Sequence, residues 1–172
     1  MPIVNTDLKY RLSGGAANTS PAASLGGAIS TAAGGVITSA SLNNLFDNVS
    51  GSEAAAGTVE HRCIYIKNEH ASLALTLAKL WIQTQDPHAG VTFAIALAGE
   101  GKNVSAETIA NEAAAPVGET FTSPTTKGSG LSLADLSATD YQGFWVRRTV
   151  TAGAAATAST GPTLRVEGDT PA

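Results

Sequence analysis

Thr58-Val59-Glu60-His61-Arg62-Cys63-Ile64-Tyr65-Ile66-Lys67-Asn68 is the stretch on which the fold turns. Alternate residues of an extended chain point to opposite faces, so Val59, His61, Cys63 and Tyr65 share one face while Arg62, Ile64 and Ile66 share the other. The second half is apolar on both faces, which places this strand in the middle of a sheet. Working outward, Asn68 to Ser72 reads as a turn. Leu73 to Gln83 then sets Leu73, Leu75, Leu77 and Trp81 on one face and Leu80 and Ile82 on the other. The two segments are expected to pair as a hairpin. Past the breaker Asp86-Pro87-His88-Ala89-Gly90, Val91, Phe93, Ile95 and Leu97 share a face whose reverse holds only Thr and Ala, a one-sided strand.

Gly99 to Asn103 closes that strand. Val104 to Ala115 fits either a short helix capped by Ser105 or a strand around Thr108-Ile109. Glu119 to Thr122 reads as a short strand stopped by Pro124, and Leu131 to Leu136 leads into a turn at Ser137 to Asp140. Tyr141 to Val150 is strongly strand-like, and Thr163 to Glu167 forms a last strand with Leu164 and Val166 on one face. Upstream, Leu8, Tyr10 and Leu12 alternate with Lys9 and Arg11 as a first strand. The expected fold is all-β, an antiparallel sandwich of seven or eight strands.

From Ser13 to about Ser52 neither periodicity holds. Gly14-Gly15, Gly26-Gly27 and Gly34-Gly35 alternate with scattered apolar residues such as Leu25, Ile29, Val36 and Ile37. An irregular connection of this length is expected to be disordered or ordered by a partner. The organisation expected is therefore residues 1–57 as first strand and extended Gly/Ala-rich arm, and residues 58–172 as the sandwich core.

The 172 residues suit one domain. Only 14% are charged and the net charge is −4, so no positive field draws nucleic acid or anionic lipid. A low-charge surface rich in Ala, Gly, Ser and Thr suits lying flat against another protein. The N-terminus lacks the pattern of a signal peptide, and no stretch approaches the roughly 20 apolar residues that span a bilayer, so neither Sec export nor membrane insertion is expected.

No catalytic constellation stands out, and a non-enzymatic chain without cofactor or metal is expected. His61 and Cys63 share a face, but His70 and His88 lie in separate turns and leave a zinc site short of ligands. Gly99-Glu100-Gly101-Lys102 lacks the spacing of a phosphate loop and reads as a hairpin turn. Asp135 and Asp140 flank a turn, where Asp commonly bonds its own backbone. Arg147 and Arg148 fall on opposite faces of one strand. Two readings stay open for them: an ion pair to a carboxylate such as Glu60 or Glu167, or contact arginines at an interface beside Trp145. With Leu25, Ile29, Val36 and Ile37 of the arm, Trp145, Arg147 and Arg148 form the candidate interface set. Trp81 or Trp145 would also suit a sugar-stacking platform.

Leu12 to Asn18, Leu45 to Gly51, Phe144 to Val150 and Leu164 to Asp169 resemble segments of small virion structural proteins of tailed bacteriophages. Among these, the chain looks like a capsid decoration, or cement, protein. The resemblance implies a protein made in the host cytoplasm and placed on the capsid surface, with the major capsid protein and neighbouring copies of itself as partners. A tail, neck or baseplate component and a receptor- or glycan-binding module are the other roles it leaves open.

Overall fold

Because the second half of the Thr58–Asn68 strand is apolar on both faces, it can be satisfied only by cover on both sides, and the structure supplies that cover. The computed structural model of the chain describes residues 2–158 and 160–170. Numbered in chain order, the strands are β1 (Leu8–Leu12), β2 (Gly26–Gly27), β3 (Thr58–Asn68), β4 (Thr76–Thr84), β5 (Val91–Lys102), β6 (Ala106–Thr108), β7 (Leu131–Ser132), β8 (Tyr141–Val150) and β9 (Thr163–Asp169), with one short helix, α1 (Gly51–Ala56). The fold is all-β, as expected. An antiparallel four-stranded sheet runs β1-β3-β8-β5, a second runs β7-β4-β9, and β2 pairs with β6. In the first sheet Cys63 faces Trp145 and Ile64 faces Phe144, so the most apolar halves of β3 and β8 coincide.

Ile64, Ile66, Phe93, Ile95, Phe144 and Val146 of that sheet share one buried cluster with Leu75, Ala78, Leu80 and Ile82 of the β4 segment, an arrangement consistent with a sandwich. Each large side chain so buried contributes about 1.5–3 kcal/mol. The expected hairpin between β3 and β4 is not formed. Both edges of β3 are taken by β1 and β8, so the chain crosses to the other sheet. Buried Asn68 holds the corner: its amide donates to the carbonyls of Leu73 and Leu136 and its oxygen accepts from His70 N–H. The face expected for Leu77 is also corrected. The register shifts between Thr76 and Lys79, and Leu77, at φ 52°, turns out to solvent while its N–H donates to Asp135. Such a bulge adds a residue and resets the alternation, which is why Ala78, Leu80 and Ile82 face the core together.

The Thr/Ala face of β5, read as the reverse of a one-sided strand, is buried at Ala96 and Ala98 as well. Cys63, Tyr65, Ala96, Ala98 and Trp145 form a second cluster under Ile29, Ala106 and Ile109. Small side chains let backbone approach, and the β2–β6 ribbon occupies that space. A Cβ on Gly26 would lie 1.7 Å from the Glu107 carbonyl oxygen, so only glycine fits there. The Tyr65 hydroxyl ties the ribbon down by donating to Gly27 O and accepting from Ala106 N–H. The ambiguous segment 104–115 thus contributes a short strand, because its partner is the glycine pair of the arm.

The arm is irregular, yet it packs on the chain's own strands, which overturns the expectation of disorder or ordering by a partner. Ser13, Ser24 and Ser30 are fully buried, and Leu45, Phe46 and Val49 belong to the main cluster. Ser30 N–H donates to Leu12 O and Ile37 N–H to Tyr10 O, covering the outer edge of β1. Where β3 runs beyond β1, Cys63 N–H donates to Ser24 O and His61 N–H to Glu112 O. Helix α1 ends the arm with a capping box between Ser50 and Glu53, and the Ser50 backbone and hydroxyl hydrogen bonds hold the Glu53 carboxyl below its usual pKa. Residues 1–57 and 58–172 therefore contribute to one core.

Candidate functional site

Pairing β3 with β8 sets Glu60 opposite Arg148, both on the face that looks toward Phe46 of the arm. Arg148 is fully buried. Its Nε donates to Glu60 Oε2 at 2.6 Å, Nη1 donates to Asp47 O and Thr160 Oγ1, and Nη2 reaches Asp47 Oδ1 at 3.1 Å. The Phe46 ring lies under two guanidinium groups, 5.0 Å from Arg148 and 5.4 Å from Arg62, and meets Phe93 edge-on at 5.6 Å. Arg62 is paired with Glu112. A buried guanidinium is tolerable only where its donors are met, and here the acceptors come from β3, the arm and the segment before β9. The cluster is a clamp that fastens the arm.

Beside the clamp, Tyr10, Ile37, Leu42, Phe46, Ile64 and Leu164 line a groove of about 350 Å³ between the arm loop and the start of β9. Ser39 to Leu42 form its exposed wall, and Leu42 stands at the rim, 70% exposed. Ala40 and Asn43 hold left-handed backbone at φ 61° and 54°, conformations that fix the loop's shape at some cost for a non-glycine residue. The result is an apolar knob on a pre-shaped loop.

The seven candidate interface residues are not brought together. Ile37 lines the groove, and Val36 bridges to Arg11 on the β1 edge. Leu25 and Ile29 lie on the opposite face of the sheet, in the cluster around Trp145. Trp145 is fully buried and Arg148 is consumed by the clamp, so neither meets a partner, which corrects both assignments. For Arg148 the open choice resolves to Glu60. Arg147 instead stacks its guanidinium 4.8 Å from the Phe121 ring. The sugar-platform reading of the tryptophans is corrected too: Trp145 offers no surface, and Trp81, 6% exposed, lies under Arg165. Leu42 was not among the residues singled out, although a leucine within the polar run Ser41-Leu42-Asn43-Asn44 was the available signal.

The other polar candidates are spent on structure. His61 Nδ1 lies 3.1 Å from the Glu112 carbonyl oxygen and its ring packs on Phe121, while Cys63 is buried with its thiol pushed above the usual pKa by desolvation. Asp140 accepts from Ser137 N–H, Lys102 Nζ and Asn103 Nδ2, contacts that hold its carboxyl below the usual range, the Asn103 bond foremost.

His61 is expected to make the fold sensitive to acid. Burial, reinforced by the charge of Arg147 and opposed by the Glu112 carbonyl bond, lowers its pKa below the ordinary 6.5. The unfolded chain then binds the proton more readily, so this contribution is complete above 6.5 and declines as pH falls below it toward the folded value. Denaturant titrations at about pH 7.5 and about pH 5.5 should show wild type less stable at the lower pH. His61→Gln should shrink that difference; an unchanged difference would assign it elsewhere.

No family model, curated protein or solved structure matches this chain.

Proposed function

We propose that the chain is a structural protein of a tailed-phage virion, a decoration (cement) protein that binds the outer face of the capsid shell and stabilises it. The observation that carries this reading is the exposed Leu42 on its pre-shaped loop beside an apolar groove. Because the clamp fastens the arm before any partner arrives, little ordering entropy is left to lose on docking, which favours a contact made many times over a particle. The resemblance to small virion proteins and the sparse charge of the surface point the same way, with the major capsid protein as partner.

Electron microscopy of intact particles tests the placement. Density of this domain on the shell is expected; density confined to neck, tail or baseplate would replace the decoration role by one of those. Leu42→Asp addresses the surface. It should abolish capture of the protein by shells assembled without it, while leaving the thermal transition near wild type, since Leu42 buries little. Undiminished capture would move the contact away from this loop.

A further inference from the structure

Among the described residues, several sheet edges of this molecule are covered, and the β9 edge is not. Covering means that outward N–H and C=O groups meet a partner, because a bare row of them is a template for another strand. On the β1 edge the arm does this, through Ile37 N–H to Tyr10 O and Ser30 N–H to Leu12 O. On the β5 edge the Gln85 amide both donates to Phe93 O and accepts from Phe93 N–H, and Thr122 exchanges two backbone bonds with Ile95. On the far side of β4, beyond β7, Ile82 N–H is met by Pro124 O and Ala78 O by Leu133 N–H.

Those last two bonds also set the direction of β9. Residues 78 and 82 turn their backbone groups away from β9, so Lys79 and Trp81 turn theirs toward it, onto Glu167 and Arg165. The alternate residues Leu164, Val166 and Gly168 therefore present their N–H and C=O groups outward. No hydrogen bond to these groups exists among the described residues. The strand spans Thr163–Asp169 and presents a long bare edge.

We infer that β9 is a self-association edge, on which a second copy of this chain adds its own β9 antiparallel about Val166. In that register Val166 faces the partner's Val166, Leu164 faces the partner's Gly168, and Gly168 faces the partner's Leu164. All three positions have outward backbone groups, so each pair exchanges both of its hydrogen bonds. Between them Arg165 falls opposite the partner's Glu167, and Glu167 opposite the partner's Arg165, at the closer non-hydrogen-bonded positions where cross-strand charge pairs act most strongly.

The charges select this register. Centring the two-fold on residue 165 would oppose two arginines, and centring it on residue 167 would oppose two glutamates. Charged side chains on an edge ordinarily deter pairing, but these are of opposite sign and mirror each other across Val166. Both side chains are partly exposed, at 49% and 43%, and would exchange partners on pairing: Arg165 now lies over Trp81 and meets Glu167 at 3.1 Å, while Glu167 also accepts from Lys127 Nζ at 2.9 Å. Joining the edges makes one continuous sheet through two copies. This gives a surface to the self-association that the resemblance to virion proteins implies, without resting on the virion role.

Sedimentation equilibrium of the full chain over a concentration series tests it. Wild type should form dimers. R165E and E167R, each leaving like charges face to face, should weaken self-association roughly tenfold or more. An equal mixture of the two variants should recover dimers, because R165E carries glutamate at both positions and E167R arginine at both. The double variant R165E/E167R should also recover them. Amide exchange at Leu164, Val166 and Gly168 should slow as the dimer fills. A wild type that stays monomeric throughout, single variants that dimerise undiminished, or a mixture that stays monomeric would each overturn the proposal. Loss of shell binding with the dimer intact would instead overturn only the decoration role.

Discussion

Replacing Arg148 by methionine is expected to destabilise the fold by about 3–5 kcal/mol, the cost of leaving a buried ion unpaired. The guanidinium is fully buried and Glu60 is 2% exposed, so water cannot replace the lost partner. One Glu60 oxygen, Oε1, already has no hydrogen-bond partner among the described residues, and Oε2 depends on Arg148. Urea titration with a constant slope would read the loss directly. Glu60→Leu combined with Arg148→Met should recover a substantial part of it, since an apolar pair of similar volume carries no desolvation cost. A single-variant loss below about 1 kcal/mol would mean that the site admits water and that the clamp is not a dry ion pair.

Phe46→Ala is expected to cost about 3–5 kcal/mol, as large-to-small substitutions of buried aromatic residues do. Phe46 is 2% exposed and lies between two guanidinium groups and Phe93, so its removal opens a cavity and loosens both arginines. The distinctive effect is on the arm. In wild type, limited proteolysis should cut only in the exposed run from Thr38 to Asn43, because the residues on either side are tied to β1 and to the clamp. In Phe46→Ala cleavage should spread toward Val49 under conditions where β3 to β9 remain intact. Cuts throughout residues 13–52 in wild type would show that the arm is not packed as described.

Several strands are legible from residue order because burial on one face or two leaves a direct trace. β3 is apolar on both faces in its second half, β5 on one with alanine behind, and β8 is rich in aromatic and branched residues; each forms a strand, although β5 runs on through Gly99 to Lys102, where a turn was expected. The possible pairing of Arg148 with Glu60 is legible as well, since two charges on apolar strands must be neutralised. The failures have a common origin. Alternation tells which residues share a face, but not what lies against that face. Trp145, read as a surface residue for interface or sugar, is fully buried because the arm and the 106–109 segment cover a side of the sheet that no local pattern marks as covered. Leu77 escapes its expected face through a bulge one residue long.

The glycine pairs of the arm show the same division from the other side. Gly26-Gly27 predicts nothing locally, because glycine suits many conformations; its use appears only when Glu107 lies against it. The order of residues by itself thus determined an all-β chain, its central strands and the opposite charges that flank Val166. Only the tertiary structure decided that β4 leaves β3 for a second sheet, that the arm is clamped by Arg148 and Phe46, and that β9 is left with a bare edge. Hydrophobic periodicity is written between neighbours in the chain, whereas strand pairing and cover are settled by segments far apart in it, competing for the same few edges and faces.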